Sequence, residues 1–167
     1  MILREPLAKD GLALHELIRA SPPLDLNSSY CYYLLVHHFA KTCVLAEAGG
    51  VIIGCITAYL RPDQPGTLFV WQVAVAAEQR GQGLASRMLD ALFARPACRS
   101  VTYVETTVSA SNHASRRTFE KFAARHHASL EDHPFLDASH FGTDTQHEAE
   151  GLLRIGPIPP DTPTPSA

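Results

Sequence analysis

Apolar and polar positions change period along the chain, and the changes mark its elements. Residues 2–4 read as a short first strand. Between residues 8 and 20, Leu14, Leu17 and Ile18 recur at helical spacing, until Ser21-Pro22-Pro23 ends the pattern. Asn27 or Ser28 can cap a second helix reaching to about residue 39, with Cys31, Leu34, Leu35 and His38 along one side. Residues 42–47 and 51–59 form a predicted hairpin across Ala48-Gly49-Gly50. Residues 61–66, with two prolines and a glycine, are expected to be a loop. The apolar run 67–75 that follows predicts a strand in the middle of its sheet.

The second half repeats the alternation. Residues 84–94 carry Leu84, Met88 and Leu92 at four-residue spacing, with Leu89 and Phe93 beside that row. A strand is predicted at 101–108 and a helix at 112–125. Residues 126–149 then lose the pattern; they hold five of the nine histidines and read as a weak strand and a long loop. A last strand is expected at 152–155, and 157–167, with five prolines, as a disordered tail. One domain over 1–156 and a tail over 157–167 are therefore expected. Hairpins mixed with crossover helices give an α/β or α+β fold on a single mixed sheet.

Composition narrows the function. The 167 residues carry 14 Lys plus Arg against 17 Asp plus Glu, a net charge of -3 that argues against a nucleic-acid partner. No apolar run approaches the roughly 18 to 20 residues of a membrane span. The start Met1-Ile2-Leu3-Arg4-Glu5-Pro6 lacks the pattern of a signal peptide. Cys31, Cys43, Cys55 and Cys98 show no CxxC spacing, so free thiols in the cytoplasm are expected. His126, His127, His133, His140 and His147 lack the close spacing of a zinc site, and no metal is expected.

The most informative stretch is Arg80-Gly81-Gln82-Gly83-Leu84-Ala85, between an apolar strand and an amphipathic helix. A glycine-rich turn there exposes backbone N–H groups at a helix N-terminus, where the dipole favours an anion such as phosphate. A dinucleotide fingerprint fits poorly. Gly81-x-Gly83-x-x-Ser86 lacks the third glycine, and Ala76-Ala77-Glu78-Gln79-Arg80 separates it from the strand. The G-K-[ST] of a Walker A loop is absent.

Arg80-x-x-Gly83-x-Ala85, following Val73-Ala74-Val75, resembles the acetyl-CoA signature of the GCN5-related N-acetyltransferase (GNAT) family. Asn112, Ser115, Phe119 and Lys121 along a later helix are similar to that family's second motif. The resemblance implies a GNAT fold, a mostly antiparallel sheet flanked by helices. It also implies acetyl-CoA as co-substrate, held at Val73, Val75, Arg80, Gly81, Gln82, Gly83, Leu84, Ala85, Asn112 and Ser115. Homodimers are common in such relatives. Where many members have a basic Glu on the central strand and an acidic Tyr on the later helix, this chain has Trp71 and Phe119, and neither moves a proton.

Within the family, four stretches resemble the diaminobutyrate acetyltransferases of ectoine biosynthesis: residues 22–32, 68–75, 104–112 and 147–157. That resemblance implies transfer of acetyl to the γ-amine of L-2,4-diaminobutyrate. Such a substrate carries two ammonium groups and a carboxylate, so its pocket needs acids for the amines and a donor for the carboxylate. Asp25 and Glu150 are the expected acids. Trp71 is the expected apolar wall, and Tyr30 or Tyr32 the donor to carboxylate or thiolate. Arg154 is a further candidate for the carboxylate. Glu150, Tyr30 and Glu105 are the catalytic candidates. Glu105, an acid inside an apolar strand, either pairs with Arg116 or Arg117 or serves as a base. Two other functions remain open: acetylation of another small amine, and a non-catalytic acyl-CoA-binding module.

Overall fold

The computed structural model describes residues 1–142 and 147–159. Seven strands form one sheet: β1 (Ile2–Arg4), β2 (Val44–Ala48), β3 (Val51–Arg61), β4 (Gln64–Val75), β5 (Tyr103–Ser109), β6 (Leu130–Leu136) and β7 (Glu150–Ile155). Their spatial order is β1-β2-β3-β4-β5-β7-β6. Helices α1 (Gly11–Arg19), α2 (Ser29–His38), α3 (Leu84–Phe93) and α4 (His113–Arg125) cover the two faces. Neighbouring strands are antiparallel except β4 and β5, which the α3 crossover makes parallel.

The period-two alternation of β2 and β3 feeds two cores. Val44 and Ile56 pack with Leu84, Met88 and Leu92 of α3 and with Phe119 and Phe122 of α4. Their neighbours Leu45 and Cys55 point the other way, against Leu14 and Ile18 of α1 and Tyr32 and Leu35 of α2. The core thus has helices on both sides of the sheet, and the middle strands are buried as their composition requires.

Two features of β4 shape everything that follows. Its ladder to β5 runs from Thr67↔Tyr103 to Val70↔Thr106 and stops there, although both strands continue. Its ladder to β3 contains a β-bulge, because Thr57 faces Gln72 while the adjacent Ala58 faces Val70, leaving Trp71 as the extra residue. The bulge reverses the strand's phase. Val70 and Ala74, four apart, would share a face in a regular strand; here Val70 lies in the α3/α4 core and Ala74 in the α1/α2 core.

Some expectations need correction. The segment 61–66 is a two-residue hairpin turn at Pro62-Asp63, with Arg61 pairing Gln64 and its guanidinium on Asp63. The first helix opens with a 3-10 turn, Ala8–Asp10. The weak strand is β6, an edge strand exposed along most of its length, which explains its faint pattern. Residues 160–167 of the expected tail lie outside the described residues. The fold nevertheless runs past residue 156, because Ile158 is buried in the core and its N–H donates to Thr102 O at 2.7 Å.

Glu105, a candidate base, is 1% exposed and lies outside both clefts described below. Arg61 Nη1 donates to its carboxylate at 2.7 Å and Arg154 Nη1 donates from the other side. Arg154 also stacks on Tyr103 at 4.0 Å. The partners of Glu105 are therefore these arginines of β3 and β7 and neither Arg116, which binds Glu120 and Asp132, nor Arg117. The charge is satisfied structurally, and Arg154 is committed to it. Glu105→Gln is expected to lower unfolding free energy by about 2–4 kcal/mol in urea. Unchanged stability with abolished turnover would restore Glu105 as the base.

Candidate active site

Where β4 and β5 part, two clefts open and meet. The first, of about 420 Å³, lies between the end of β4, the turn before α3, and α4. Gly81 and Gly83 both have φ of +75°, a backbone state that favours glycine, and a Cβ at either would meet open space. The constraint there is conformational, and it turns the chain so that α3 begins at the cleft. The first acceptor of α3 is Gly83 O, taken by Arg87 N–H at 3.1 Å, so the preceding amides have no helical partner. Arg80, Arg117 and Lys121 line the same cleft, and its described lining holds no Asp or Glu. An anion is the ligand this surface suits.

The second cleft, of about 430 Å³, is lined by Asp25, Phe69, Trp71, Gln72, His147, Glu148 and Glu150, among others. No Lys or Arg is among its described lining residues, so it suits a cation. The two clefts share Pro23, Leu24, Val73, Asn112, Ser115 and Phe119. At that junction the polar side chains are Asn112 and Ser115, with Asn112 Oδ1 capping α4 by accepting Ser115 N–H at 3.1 Å. Phe119 is buried there and offers no proton.

A hydrogen-bonded clasp crosses the cation cleft. His147 Nε2 meets Asp25 Oδ2 at 2.9 Å, and its Nδ1 meets Glu148 O at 3.0 Å. Both partners only accept, so the doubly protonated ring satisfies both at once. The Glu148 carbonyl first, and Asp25 second, raise the His147 pKa above its usual value. The imidazole stacks on Phe141 with centroids 3.8 Å apart. Beyond it, Ser111 N–H donates to Glu148 Oε2 at 3.2 Å, and Ser111 holds that carboxyl below the usual carboxylate range. The loop before α2 and the segment before β7 are thus joined, with Asp25 at the centre.

The structure gathers Asp25, Trp71 and Glu150 in one cleft and Val75, Arg80, Gly81, Gly83, Leu84 and Ala85 in the other. Val73, Asn112 and Ser115 line both. The Arg80 side chain donates to Val75 O at 3.0 Å, closing the strand end. The Gln82 side chain lies outside both linings and returns to Glu78 O at 3.0 Å. Tyr30 and Tyr32 line neither of these clefts. Tyr30 is 69% exposed on the first turn of α2, whereas Tyr32 is wholly buried and its hydroxyl accepts Asn27 N–H. Helix periodicity places them two residues apart, on different sides, which residue type alone does not reveal. Gln72 was missed, although a glutamine inside the apolar run 68–75 is the visible signal. His147 carries no local signal of its pairing, because its partner Asp25 is 122 residues away.

Among the described residues, no group of three or more His, Cys, Asp or Glu is placed to hold a metal, and no helix is long and apolar enough to cross a membrane. A profile of the Acetyltransferase (GNAT) family matches residues 12–124. An L-2,4-diaminobutyric acid acetyltransferase of Bordetella parapertussis is 50% identical over 157 residues, covering 93% of this chain and 84% of that protein. One from Streptomyces avermitilis is 50% identical over 155 residues, covering 92% and 86%. Among solved structures, the diaminobutyrate acetyltransferase EctA from Paenibacillus lautus, in complex with its substrate L-2,4-diaminobutyric acid and coenzyme A, superposes with a TM-score of 0.93. It is 46% identical and the match covers 97% of this chain and 98% of that one. Ard1 from Thermoplasma volcanium, 17% identical with a TM-score of 0.71 over 93% and 97% of the two chains, shares the fold. A glycine turn at the start of a helix, parted parallel strands and these relatives agree: the chain belongs to the GNAT family of acetyltransferases.

Proposed function

We propose that this protein is an acetyl-CoA-dependent N-acetyltransferase acting on the γ-amino group of L-2,4-diaminobutyrate. The product is N-γ-acetyl-2,4-diaminobutyrate, on the route to ectoine, a compatible solute made under osmotic stress. The observation that carries the reading is the meeting of a cationic and an anionic cleft where β4 and β5 part. One suits the phosphates of acetyl-CoA, the other a compact dication. The diaminobutyrate and coenzyme A bound in the Paenibacillus lautus relative support the same assignment.

Acetyl-CoA supplies the acetyl group as a thioester, and the amine must attack it as the neutral base. An amine with a lysine-like pKa near 10.4 needs roughly 4 to 5 kcal/mol to lose its proton at pH 7. Glu150, on β7 in the acid-lined cleft, is the base in this reading. Asp25 holds an ammonium, and Trp71, at the bulge, is the apolar wall against the carbon chain. The leaving thiolate emerges at the junction, where Ser115 and Asn112 are the polar side chains.

The reading includes a homodimer in the cytoplasm. Three buried free thiols favour a reducing compartment. Exposed Leu12, Tyr30 and Tyr33 on α1 and α2 are apolar surface suited to a second copy.

Thiol release from acetyl-CoA, measured with diaminobutyrate, ornithine, lysine and spermidine in parallel and with NMR of the product, tests the function. Strong turnover on diaminobutyrate with acetyl on the γ-nitrogen is expected. Turnover on another amine alone moves the protein to a different small-amine substrate. Silence on all four with intact acetyl-CoA binding makes it an acyl-CoA-binding module.

The clasp gives a pH dependence. His147 has a raised folded-state pKa, so its pairing stabilises the fold below the unfolded value of 6.5 and fades as pH rises through the higher folded value. The melting-temperature difference between the native chain and His147→Asn is therefore expected to be fullest below pH 6.5 and to shrink as pH rises above it. A difference independent of pH contradicts the charged clasp.

A further inference from the structure

A thioester held in one cleft and an amine held in the other react where the two clefts meet. The sulfur therefore departs among the residues that line both: Pro23, Leu24, Val73, Asn112, Ser115 and Phe119. Ser115 brings the one hydroxyl in that set. Other hydroxyl side chains, such as Thr106, Ser109 and Thr118, line one cleft and not the other. A serine has a single heavy atom beyond Cβ, so a seryl side chain lining the junction brings Oγ to it.

That hydroxyl is both unspent and open. Ser115 N–H is held by Asn112 Oδ1 at 3.1 Å, which fixes the residue on the first turn of α4. Its Oγ has no hydrogen-bond partner among the described residues, yet it is not one of the buried polar atoms closed off from the surface. Ser115 and Phe119 lie four residues apart, about one helical turn, and so share a face. Helical side chains lean toward the N-terminus, which carries the Phe119 ring toward the turn that holds Ser115. The hydroxyl that Phe119 lacks is thus available one turn earlier, from the serine.

When the amine nitrogen bonds to the acetyl carbon, the C–S bond breaks and its electron pair goes to sulfur. The proton lost by nitrogen goes to Glu150 in the reading above. A donor placed at the sulfur lowers the barrier as that charge builds. We propose that Ser115 Oγ donates a hydrogen bond to the coenzyme A sulfur and stabilises the leaving thiolate, which makes Ser115 a catalytic residue. An aliphatic hydroxyl is a far weaker acid than a thiol, so Ser115 keeps its own proton throughout. This rests on the acetyl-CoA reading above and assigns a residue within it.

Carbon NMR of coenzyme A labelled at the carbon that bears sulfur follows the titration of the thiol in the protein–CoA complex. Ser115→Ala keeps a good helix former at this place and loses only the hydroxyl. Its bound thiol is expected to titrate about one pH unit higher than in the native complex. Arg80, Arg117 and Lys121 on one side and Asp25, His147, Glu148 and Glu150 on the other act on the sulfur in both complexes, so the difference isolates Oγ. With saturating diaminobutyrate and acetyl-CoA, kcat is expected to fall about tenfold, while coenzyme A affinity at pH 6 stays within about twofold of native. An unchanged thiol titration overturns the proposal, and so does an unchanged kcat. A loss of coenzyme A affinity as large as the loss in kcat marks a structural role and also overturns it. Failure of the native chain itself to bind coenzyme A counts instead against the acetyl-CoA reading.

Discussion

The structure depends on one interruption: the β4–β5 ladder ends at Val70↔Thr106 while both strands run on. Parallel neighbours in a sheet normally continue to bond, since buried backbone groups left unpaired are costly. Here the parting is held open from both sides. β4 stays bonded to β3 as far as Val75↔Gly54, and β5 stays bonded to β7 as far as Ser109↔Glu150. Each strand is anchored on its outer edge, and the inner edges are free to receive something that is not protein. Phe119 of α4 underlies the gap and keeps it apolar.

Charge then sorts the two sides of the gap. Arg80, Arg117 and Lys121 lie toward the glycine turn, and Asp25, Glu148 and Glu150 lie toward the β7 end, where His147 is held by Asp25; no described Asp or Glu lines the first cleft and no described Lys or Arg lines the second. For a reaction that passes an acetyl group from a polyanion to a diamine, this segregation orients both partners before any contact at the reacting atoms forms. It also makes the missing tyrosine at residue 119 intelligible. The acids and the imidazole are gathered at the amine end, and the junction itself is left to the amide of Asn112 and the hydroxyl of Ser115.

Local chemistry was legible in the sequence and long-range pairing was not. The turn 80–85 could be read because glycines with positive φ, a strand before and an amphipathic helix after are all local signals. The same holds for α3 and for the hairpin of β2 and β3. Glu105 was visible as an anomaly, an acid in an apolar strand, but its partners Arg61 and Arg154 lie 44 and 49 residues away and only the sheet order brings them together. Tyr30 and Tyr32 drew attention by residue type, and the helix turned one to solvent and the other into the core. The bulge at Trp71 has no signature in composition, so the cleft-facing position of Gln72 became visible only with the β3 register.

The central claim is that the parted strands form one continuous site with opposite charges at its two ends. A crystal structure of the protein with coenzyme A and diaminobutyrate bound together tests it most directly. The account predicts the pantetheine arm between β4 and β5 beyond Val70↔Thr106, the pyrophosphate on the amides of residues 81–86, and the γ-nitrogen beside the thiol at the Ser115–Phe119 junction. Coenzyme A bound elsewhere, or a diamine lodged away from Asp25 and Glu150, would contradict it.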